Sequence, residues 1–238
     1  MTINCKGNLI DLSSPKVMGI LNITPNSFYD GGKFQEESVV LNQVEKMLNE
    51  GATFIDIGAY SSKPNAAFVS EEEELQRILP VLQQIIKQFP DVIVSIDTFR
   101  AEVAKQCVLN GAAMINDISA GHLDEKMLPT IAELQVPYIM MHMKGNPQTM
   151  QSLAHYDDIV KEMIYYFSER IFEARKLGIN DLIVDPGFGF AKTLEQNYEV
   201  MQKLDIFKQL ELSLLVGISR KSMIYKTLET SAQEALNG

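Results

Sequence analysis

Seven apolar runs of this chain each end, or nearly end, in a polar side chain. The polar residues are Asn22, Asp56, Asp97, Asn116, His142, Asp185 and the pair Arg220/Lys221. Nearly continuous apolar strands are typical of parallel sheets covered by helices. In a barrel of parallel strands, the side chains at the carboxyl ends of all strands converge on one bowl. The pattern therefore predicts a (β/α) barrel with a site at its mouth.

Predicted strands and helices alternate along the whole chain. Residues 2–14 read as a hairpin that we expect at the bottom of the barrel. The predicted strands are 17–24, 54–59, 92–98, 114–119, 137–143, 182–186 and 213–219, and the predicted helices are 36–50, 71–88, 100–110, 125–134, 157–177, 193–203 and one from 221 onward. Ser70 with Glu73, and Thr193 with Gln196, have the spacing of capping boxes. We expect one α/β domain over residues 1–238, a (β/α)8-type TIM barrel with an N-terminal hairpin.

The count of predicted strands is seven, whereas a closed barrel of this type has eight. The residues after Lys221 have room for a helix and nothing more. We therefore expect either that the chain is truncated at its C-terminus or that its last strand comes from elsewhere. An open barrel would leave two unpaired strand edges.

The composition excludes several classes of protein. The hydrophobic fraction of 46% and the charged fraction of 22% are typical of a soluble globular protein. No apolar stretch approaches the ~20 residues of a membrane helix, and the N-terminus lacks a signal-peptide layout. We expect a cytoplasmic protein with unpaired Cys5 and Cys107. The net charge of −10 argues against nucleic-acid binding, so phosphate chemistry would use local cations such as Lys63, Arg220 and Lys221.

Two loops have the composition of substrate-covering segments. The loop after the first strand, residues 22–32, combines turn residues with adjacent aromatic rings and predicts a lid that excludes water, the alternative being a merely packed loop. Asn22, at the strand end before it, offers an amide oxygen that suits a magnesium-bound phosphate. The second loop, residues 60–65, couples hydroxyl groups with Lys63 and fits an anion clamp, although a lone loop lysine is usually only solvated.

Three strand-end residues, Asp97, Asn116 and Asp185, predict the kind of ligand. Carboxylates behind apolar strands are costly to bury unless they meet hydrogen-bond donors. Two carboxylates and an amide can satisfy a flat heterocycle with several N–H groups along one edge, such as a 2-amino-4-oxo pterin or a guanine. The alternative is that the three bond to each other in the core. Phe190 could stack on such a ligand, Lys221 and Ser222 suit an anion, and His142 reads as a supporting histidine.

At these residues the chain resembles the dihydropteroate synthase family of folate biosynthesis. MGILNITPNSFYDGG and DIGAYSSKP resemble its first two motifs, and SIDTFR, INDIS, MHM, DPGFGFAK and GISRKS follow in family order, from about residue 17 to 236. The resemblance implies a sulfonamide-sensitive transferase that joins 6-hydroxymethyl-7,8-dihydropterin pyrophosphate to p-aminobenzoate with the help of Mg²⁺. It also implies a dissociative mechanism, in which pyrophosphate leaves before the arylamine attacks.

The resemblance further implies roles for individual residues. The expected catalytic residues are Asp30, Asp185 and Lys221, and Asn22 is expected to assist the metal. The expected substrate-binding residues are Phe28, Ser62, Lys63, Pro64, Asp97, Asn116, Met140, Phe190, Arg220 and Ser222. Within that set Asp97 and Asn116 hold the pterin together with Asp185 and Lys221, while Phe190 and Ser222 lie at the aminobenzoate site.

The chain departs from the family pattern at Asn26, Tyr29, Ala59, Tyr60, Ser62 and Lys63. Lysine in place of arginine loses the bidentate fork, so we expect weaker pyrophosphate binding. The family's terminal strand, with an Arg-x-His pair, and the helix of its homodimer interface have no counterpart after Lys221. Two alternatives stay open: a pterin-binding barrel without turnover, and a methyltetrahydrofolate:corrinoid methyltransferase, whose family lacks the TPNSF…DGG and SRKS segments.

Overall fold

The computed structural model describes residues 1–23, 33–60 and 69–238. Seven parallel strands form a curled sheet in which neighbours in sequence are neighbours in space. The strands are Val17–Asn22 (β3), Ala52–Gly58 (β4), Ile93–Asp97 (β5), Met114–Asp117 (β6), Tyr138–Met141 (β7), Leu182–Asp185 (β8) and Ser213–Leu214 (β9). The helices are Lys33–Asn49 (α1), Glu71–Gln88 (α2), Ala101–Leu109 (α3), Met127–Leu134 (α4), Ile159–Lys176 (α5), Leu194–Gln202 (α6) and Ser222–Thr227 (α7). The predicted alternation and α/β barrel class are confirmed.

The N-terminal hairpin covers the amino end of the barrel, as expected. Its strands, Thr2–Cys5 (β1) and Asn8–Asp11 (β2), pair in antiparallel fashion. Lys6 and Gly7 have φ values of +55° and +87°, the positive pair that a tight two-residue hairpin turn requires. Ile3 and Cys5 are buried against an apolar cluster that includes Phe54, Met114, Ile139 and Ile183.

Alternation along the strands divides the apolar side chains into two layers. One layer lies inside the barrel with the hairpin, and the other packs between the sheet and the helices. Ile55, Ile96 and Ile115 of the second layer are fully buried. Burial of one such side chain contributes about 1.5–3 kcal/mol. This outer layer therefore supplies most of the apolar burial, and the inner face is free to carry polar groups near the mouth.

Side-chain caps start several helices where the sequence predicted. Thr193 and Gln196 form the complete capping box at the start of α6. Ser70 caps α2 by accepting a hydrogen bond from Glu73 N, but the Glu73 side chain pairs with Arg77 instead of closing the box. The capping box predicted at Ser70 is therefore only half formed.

The predicted strand 213–219 is shorter than expected, because β9 ends at Leu214. Within the described ranges β9 pairs only with β8, and a strand continues only where a neighbour supplies ladder hydrogen bonds. Cys5 and Cys107 are free and buried, as predicted. Of the helices in the described ranges, none combines the length and hydropathy that a membrane crossing requires.

Candidate active site

Strand register brings four predicted site residues, Asn22, Asp97, Asn116 and Asp185, to one face of the sheet. Asn22, Gly58, Asp97 and Asn116 are successive partners from β3 to β6. Paired residues of neighbouring strands point to the same face, and side chains two residues apart do so as well. Asp185 pairs with Met141, two residues beyond Ile139, the partner of Asn116. The side chains of these acidic and amide residues therefore all face the barrel interior near its mouth.

Asp56 is an additional member of this cluster to which the sequence analysis assigned no role. It is 4% exposed, and its Oδ2 accepts a hydrogen bond of 3.0 Å from Asn116 Nδ2. Its Oδ1 has no hydrogen-bond partner within the residues that the structure describes. Burial raises the pKa of Asp56. Asn116 is thus oriented from below by a carboxylate that is itself short of donors.

The carboxylates of the cluster repel one another. Burial, followed by the charge of Asp56, raises the pKa of Asp97 well above its ordinary value, and Asp185 adds to this effect. A group of partly buried carboxylates is unfavourable unless cations or N–H donors meet it. The cluster is therefore electrostatically suited to a ligand that brings donors.

Asp185 lies where the strand β8 enters the loop of residues 186–192. Its Oδ1 accepts a hydrogen bond of 2.7 Å from Gly187 N. Burial raises the pKa of Asp185, and the charge of Lys221 is the largest opposing influence. Lys221 donates to the carbonyl oxygen of Phe188, and its Nζ is 5.2 Å from the centre of the Phe190 ring, within cation–π range. One wall of the bowl thus carries an acid, a cation and an aromatic ring.

The loop after β8 requires glycine at position 187. Gly187 has a φ of +67°, and a Cβ there would lie 2.5 Å from the carbonyl oxygen of His142. We expect Gly187→Ala to lower the free energy of unfolding by about 2–3 kcal/mol, because strain and a backbone clash combine. Gly178→Ala is the matched control, since its φ is +83° but its Cβ would meet nothing within 4 Å.

Urea denaturation of the two variants separates the clash from the strain. Gly178→Ala should lose only the strain energy, about 1 kcal/mol. Equal losses in both variants would contradict the role of the His142 carbonyl contact.

Arg220 and Lys221, in the segment that follows β9, differ in their exposure to solvent. Lys221 is half-buried and faces Asp185, whereas Arg220 is exposed and has a φ of +53°. Ser222 is the first residue of α7 and is half-buried. Lys221 therefore lies on the bowl side of the turn and Arg220 on its exposed side, while the predicted role of Ser222 stays a prediction.

Met140 does not face the bowl, contrary to the prediction. It pairs with Val184 on β8 and is fully buried in the layer between sheet and helices. Met141, one residue later, shares the inner face with Asp185 and lies beside Gly187. Because the residues of β7 are apolar on both faces of the sheet, the sequence does not show whether Met140 or Met141 faces the bowl.

Phe28, Asp30, Ser62, Lys63 and Pro64 lie outside the described residues, so their predicted roles stay predictions. The chain on either side of 61–68 meets at Arg100. Arg100 donates to Val69 O, its guanidinium carbon lies 5.4 Å from the Tyr60 ring centre, and it forms a buried ion pair with Glu74. Tyr60 also packs edge-to-face on Phe99 at 5.1 Å. Arg100 thus connects the described residues that flank 61–68 to α2 and to the start of α3.

His142 lies behind the bowl, as the sequence analysis favoured. It is 2% exposed, packs edge-to-face on Tyr166 at 4.9 Å, and has its Nδ1 3.1 Å from Lys192 Nζ. Lys192 received no role from the sequence. Lys192 stands in the sequence between Phe190, a predicted site residue, and Thr193, the predicted helix cap, and this position could have indicated a role near the site.

Comparisons with known proteins assign the chain to a family. The sequence pattern of the family described as pterin binding enzyme matches residues 18–237. Dihydropteroate synthase of Escherichia coli (strain K12) is 45% identical over 241 residues, which cover 100% of this chain and 84% of that protein. Two solved structures are similar over nearly the whole chain. Yersinia pestis dihydropteroate synthase with a sulfonamide drug complex has a TM-score of 0.91 at 42% identity, covering 100% of this chain and 86% of that one.

The second structure is Xanthomonas albilineans dihydropteroate synthase with 4-aminobenzoic acid. Its TM-score is 0.89 at 37% identity, and the match covers 99% of this chain and 85% of that one. The strands of this chain are parallel and end in inward-facing acids and an amide. The family match over residues 18–237 shows that such a barrel is a pterin-binding enzyme. The chain belongs to the dihydropteroate synthase family, the transferases of folate synthesis.

Proposed function

We propose that this chain condenses 6-hydroxymethyl-7,8-dihydropterin pyrophosphate with p-aminobenzoate, forming 7,8-dihydropteroate and pyrophosphate. The observation that carries the proposal is the inward cluster of Asp97, Asn116 and Asp185, in which burial raises the pKa of both acids. A pterin edge offers a row of N–H donors, and buried carboxylates are favourable only where such donors meet them. The family to which the chain belongs supports the same reaction.

The walls of the bowl suit the two substrates in different places. Asp97, Asn116 and Asp185 would hold the pterin from below, with Lys221 beside it. Phe190 would line the aminobenzoate site, Ser222 would receive its carboxylate, and Arg220 would act from the rim. Phe28, Asp30, Ser62, Lys63 and Pro64 would cover the substrates, as the family resemblance implies.

The reaction that we propose is dissociative. Pyrophosphate departs with the electron pair of its C–O bond, a methylene cation stabilised by the pterin remains, and the arylamine nitrogen attacks that cation and then loses a proton. No side-chain nucleophile is required. The carboxylates of Asp30 and Asp185 would stabilise the developing positive charge, which is a preorganised electrostatic effect. The charge of Lys221 would favour the ionised form of Asp185, because it opposes the rise in the pKa of that acid that burial causes.

Mg²⁺ is the cofactor that we propose, with Asn22 as its contact on this chain. The fit rests on donor chemistry: Asn22 is an exposed hard oxygen donor on the inner face of the sheet end. Among the described residues, no group of three or more His, Cys, Asp or Glu side chains could hold a metal. Mg²⁺ is commonly bound by one or two protein oxygens together with substrate phosphates, and Asn22 would supply such an oxygen. When bound, it would neutralise charge on the leaving pyrophosphate.

The direct test is formation of dihydropteroate by the purified chain, followed by chromatography, with and without Mg²⁺. Product that depends on both substrates and on the metal supports the proposal. Pterin binding without product would indicate a pterin-binding barrel that lacks turnover, and failure of both would overturn the assignment of the pocket.

The raised pKa of Asp97 predicts that pterin affinity falls on acidification. N–H donors favour the ionised carboxylate, so a bound pterin lowers this pKa and releases a proton. As the pH falls through the raised pKa of the free protein, affinity should decrease by up to about tenfold per pH unit. Calorimetry with 6-hydroxymethylpterin in buffers of different ionisation enthalpy measures the released proton directly.

Asp97→Asn is the control for this pH dependence, because the amide does not titrate. The variant should bind more weakly and release fewer protons than the wild type. Equal proton release from both proteins would contradict the assignment to Asp97.

A further inference from the structure

Lys192 is a buried ammonium group behind the bowl. It is 4% exposed and directly precedes Thr193, the cap of α6. Among the described residues, no carboxylate oxygen lies within 4.0 Å of its Nζ. A buried charge without an ion-pair partner is costly and persists only when other groups satisfy it. The other contacts of Nζ therefore indicate what holds it there.

Three acceptors surround Lys192 Nζ. The carbonyl oxygens of Gly187 and Phe190 each lie at 3.0 Å, and His142 Nδ1 lies at 3.1 Å. A lysine ammonium has three N–H donors, so this set uses all of them. Burial, then the charges of Lys192 and Lys144, lowers the pKa of His142 well below its ordinary value. The imidazole is therefore neutral, and in the tautomer that carries its proton on Nε2 the Nδ1 atom accepts from Lys192.

The two carbonyls belong to the first and last residues of the turn 187–190, which lies between Asp185 and α6 and is closed by a hydrogen bond from Phe190 N to Gly187 O. Other side chains hold the groups between and beside them: Gly187 N donates to Asp185, Gly189 N donates to Asn197, Phe188 O accepts from Lys221, and Ala191 O accepts from Tyr156. Gly187, Gly189 and Ala191 all have positive φ values. Within this set, Lys192 is the one side chain that donates hydrogen bonds to both the first and the last residue of the turn. It can therefore determine how the turn presents its side chains.

We propose that Lys192 is a positioning residue that orients Asp185 and Phe190 towards the substrates, with His142 as its buried acceptor. This inference rests on the proposed function of the bowl. It deepens that function, because it attributes the orientation of an acid and of a ring to a group that touches no substrate.

The electrostatics of the pocket distinguish this role from simple packing. Burial lowers the pKa of Lys192 to about 7, while Asp185 raises it and Lys221 lowers it. The other titratable groups around the pair are Lys144, Tyr156 and Tyr166, which face His142. Loss of the Lys192 charge near neutral pH weakens its hydrogen bonds to the two carbonyl oxygens of the turn. It also changes the electrostatic potential at Asp185. Methionine would fill the same space without either effect.

The experiment compares Lys192→Met with Lys203→Met, the latter removing a lysine from an exposed pair with Glu199. Equilibrium binding of 6-hydroxymethylpterin, turnover and thermal unfolding are measured from pH 5.5 to 9. We expect Lys192→Met to weaken pterin binding about tenfold and to lower kcat about 10²-fold, since a displacement of about 1 Å has effects of that size. We also expect it to abolish a wild-type step in affinity near pH 7, while Lys203→Met behaves as wild type.

Lys192→Arg carries the test if Lys192→Met does not fold, because arginine keeps a charge that does not titrate in this range. Loss of the step near pH 7 in Lys192→Arg supports the proposal. A pH dependence of affinity with the same midpoint and size as in the wild type, or wild-type affinity in Lys192→Met, overturns it, whereas the fall on acidification that is due to Asp97 is expected in every protein compared. Pterin binding is measured without turnover, so an inactive wild type would contradict the proposed reaction and leave this test intact.

Discussion

Replacement of Asp185 by asparagine is expected to lower kcat/KM for dihydropteroate formation by about 10³-fold. The asparagine Oδ1 can still accept from Gly187 N, so the turn should keep its shape. The negative charge that opposes Lys221 and stabilises the pterin cation is lost. Removal of one preorganised electrostatic group typically costs 10²- to 10³-fold. Steady-state kinetics with both substrates measures the effect.

Asp181→Asn is the matched control for that substitution. Asp181 lies just before β8, at the opposite end of the strand, where its Oδ2 accepts from Asn4 N in the hairpin. The control should retain the activity of the wild type within about twofold, since it lies far from the mouth. An Asp185→Asn enzyme with more than a tenth of wild-type kcat/KM would contradict the proposed electrostatic role.

Arg100→Met is expected to cause the largest loss of stability, about 3–5 kcal/mol. The side chains of Arg100 and Glu74 are 11% and 0% exposed, and removal of one partner leaves a buried charge uncompensated. The pKa of Glu74 is raised by burial, while Thr98 and Arg100 lower it. Without Arg100 this pKa should rise further. The melting temperature at neutral pH should fall by roughly 10 °C or more, measured by calorimetry.

Two controls separate charge from packing at this pair. Lys46→Met breaks an exposed pair with Glu50 and should change stability by less than about 0.5 kcal/mol. The double variant Arg100→Met/Glu74→Gln should be more stable than Arg100→Met alone, because the uncompensated charge is gone. A double variant no more stable than the single one would show that lost packing, rather than charge, is responsible.

The same pair matters for the site because its arginine contacts the residues on both sides of 61–68. Arg100 donates to Val69 O and lies over the ring of Tyr60, so the chain on both sides of 61–68 depends on it. The motif SIDTFR was recognised in the sequence by its aspartate. Its arginine acts on a segment about thirty residues away, and no local pattern indicates that contact.

Residues at strand ends were predictable because parallel topology alone brings them together. Asp97, Asn116 and Asp185 follow apolar runs, and every such run in a parallel barrel delivers its carboxyl end to the same mouth. Met140 was assigned to the wrong face for the opposite reason. The run PYIMM is apolar at every position, so it has no alternation from which register could be read.

The amino-acid sequence by itself determined the order of strands and helices, the hairpin at the amino end and the identity of the polar residues at the mouth. Those features depend on local periodicity, caps and the shared direction of parallel strands. Only the tertiary structure decided which groups hold the site in shape. His142 with Lys192, and Asp56 with Asn116, are 50 and 60 residues apart in sequence, and their hydrogen bonds exist only because folding closes those distances.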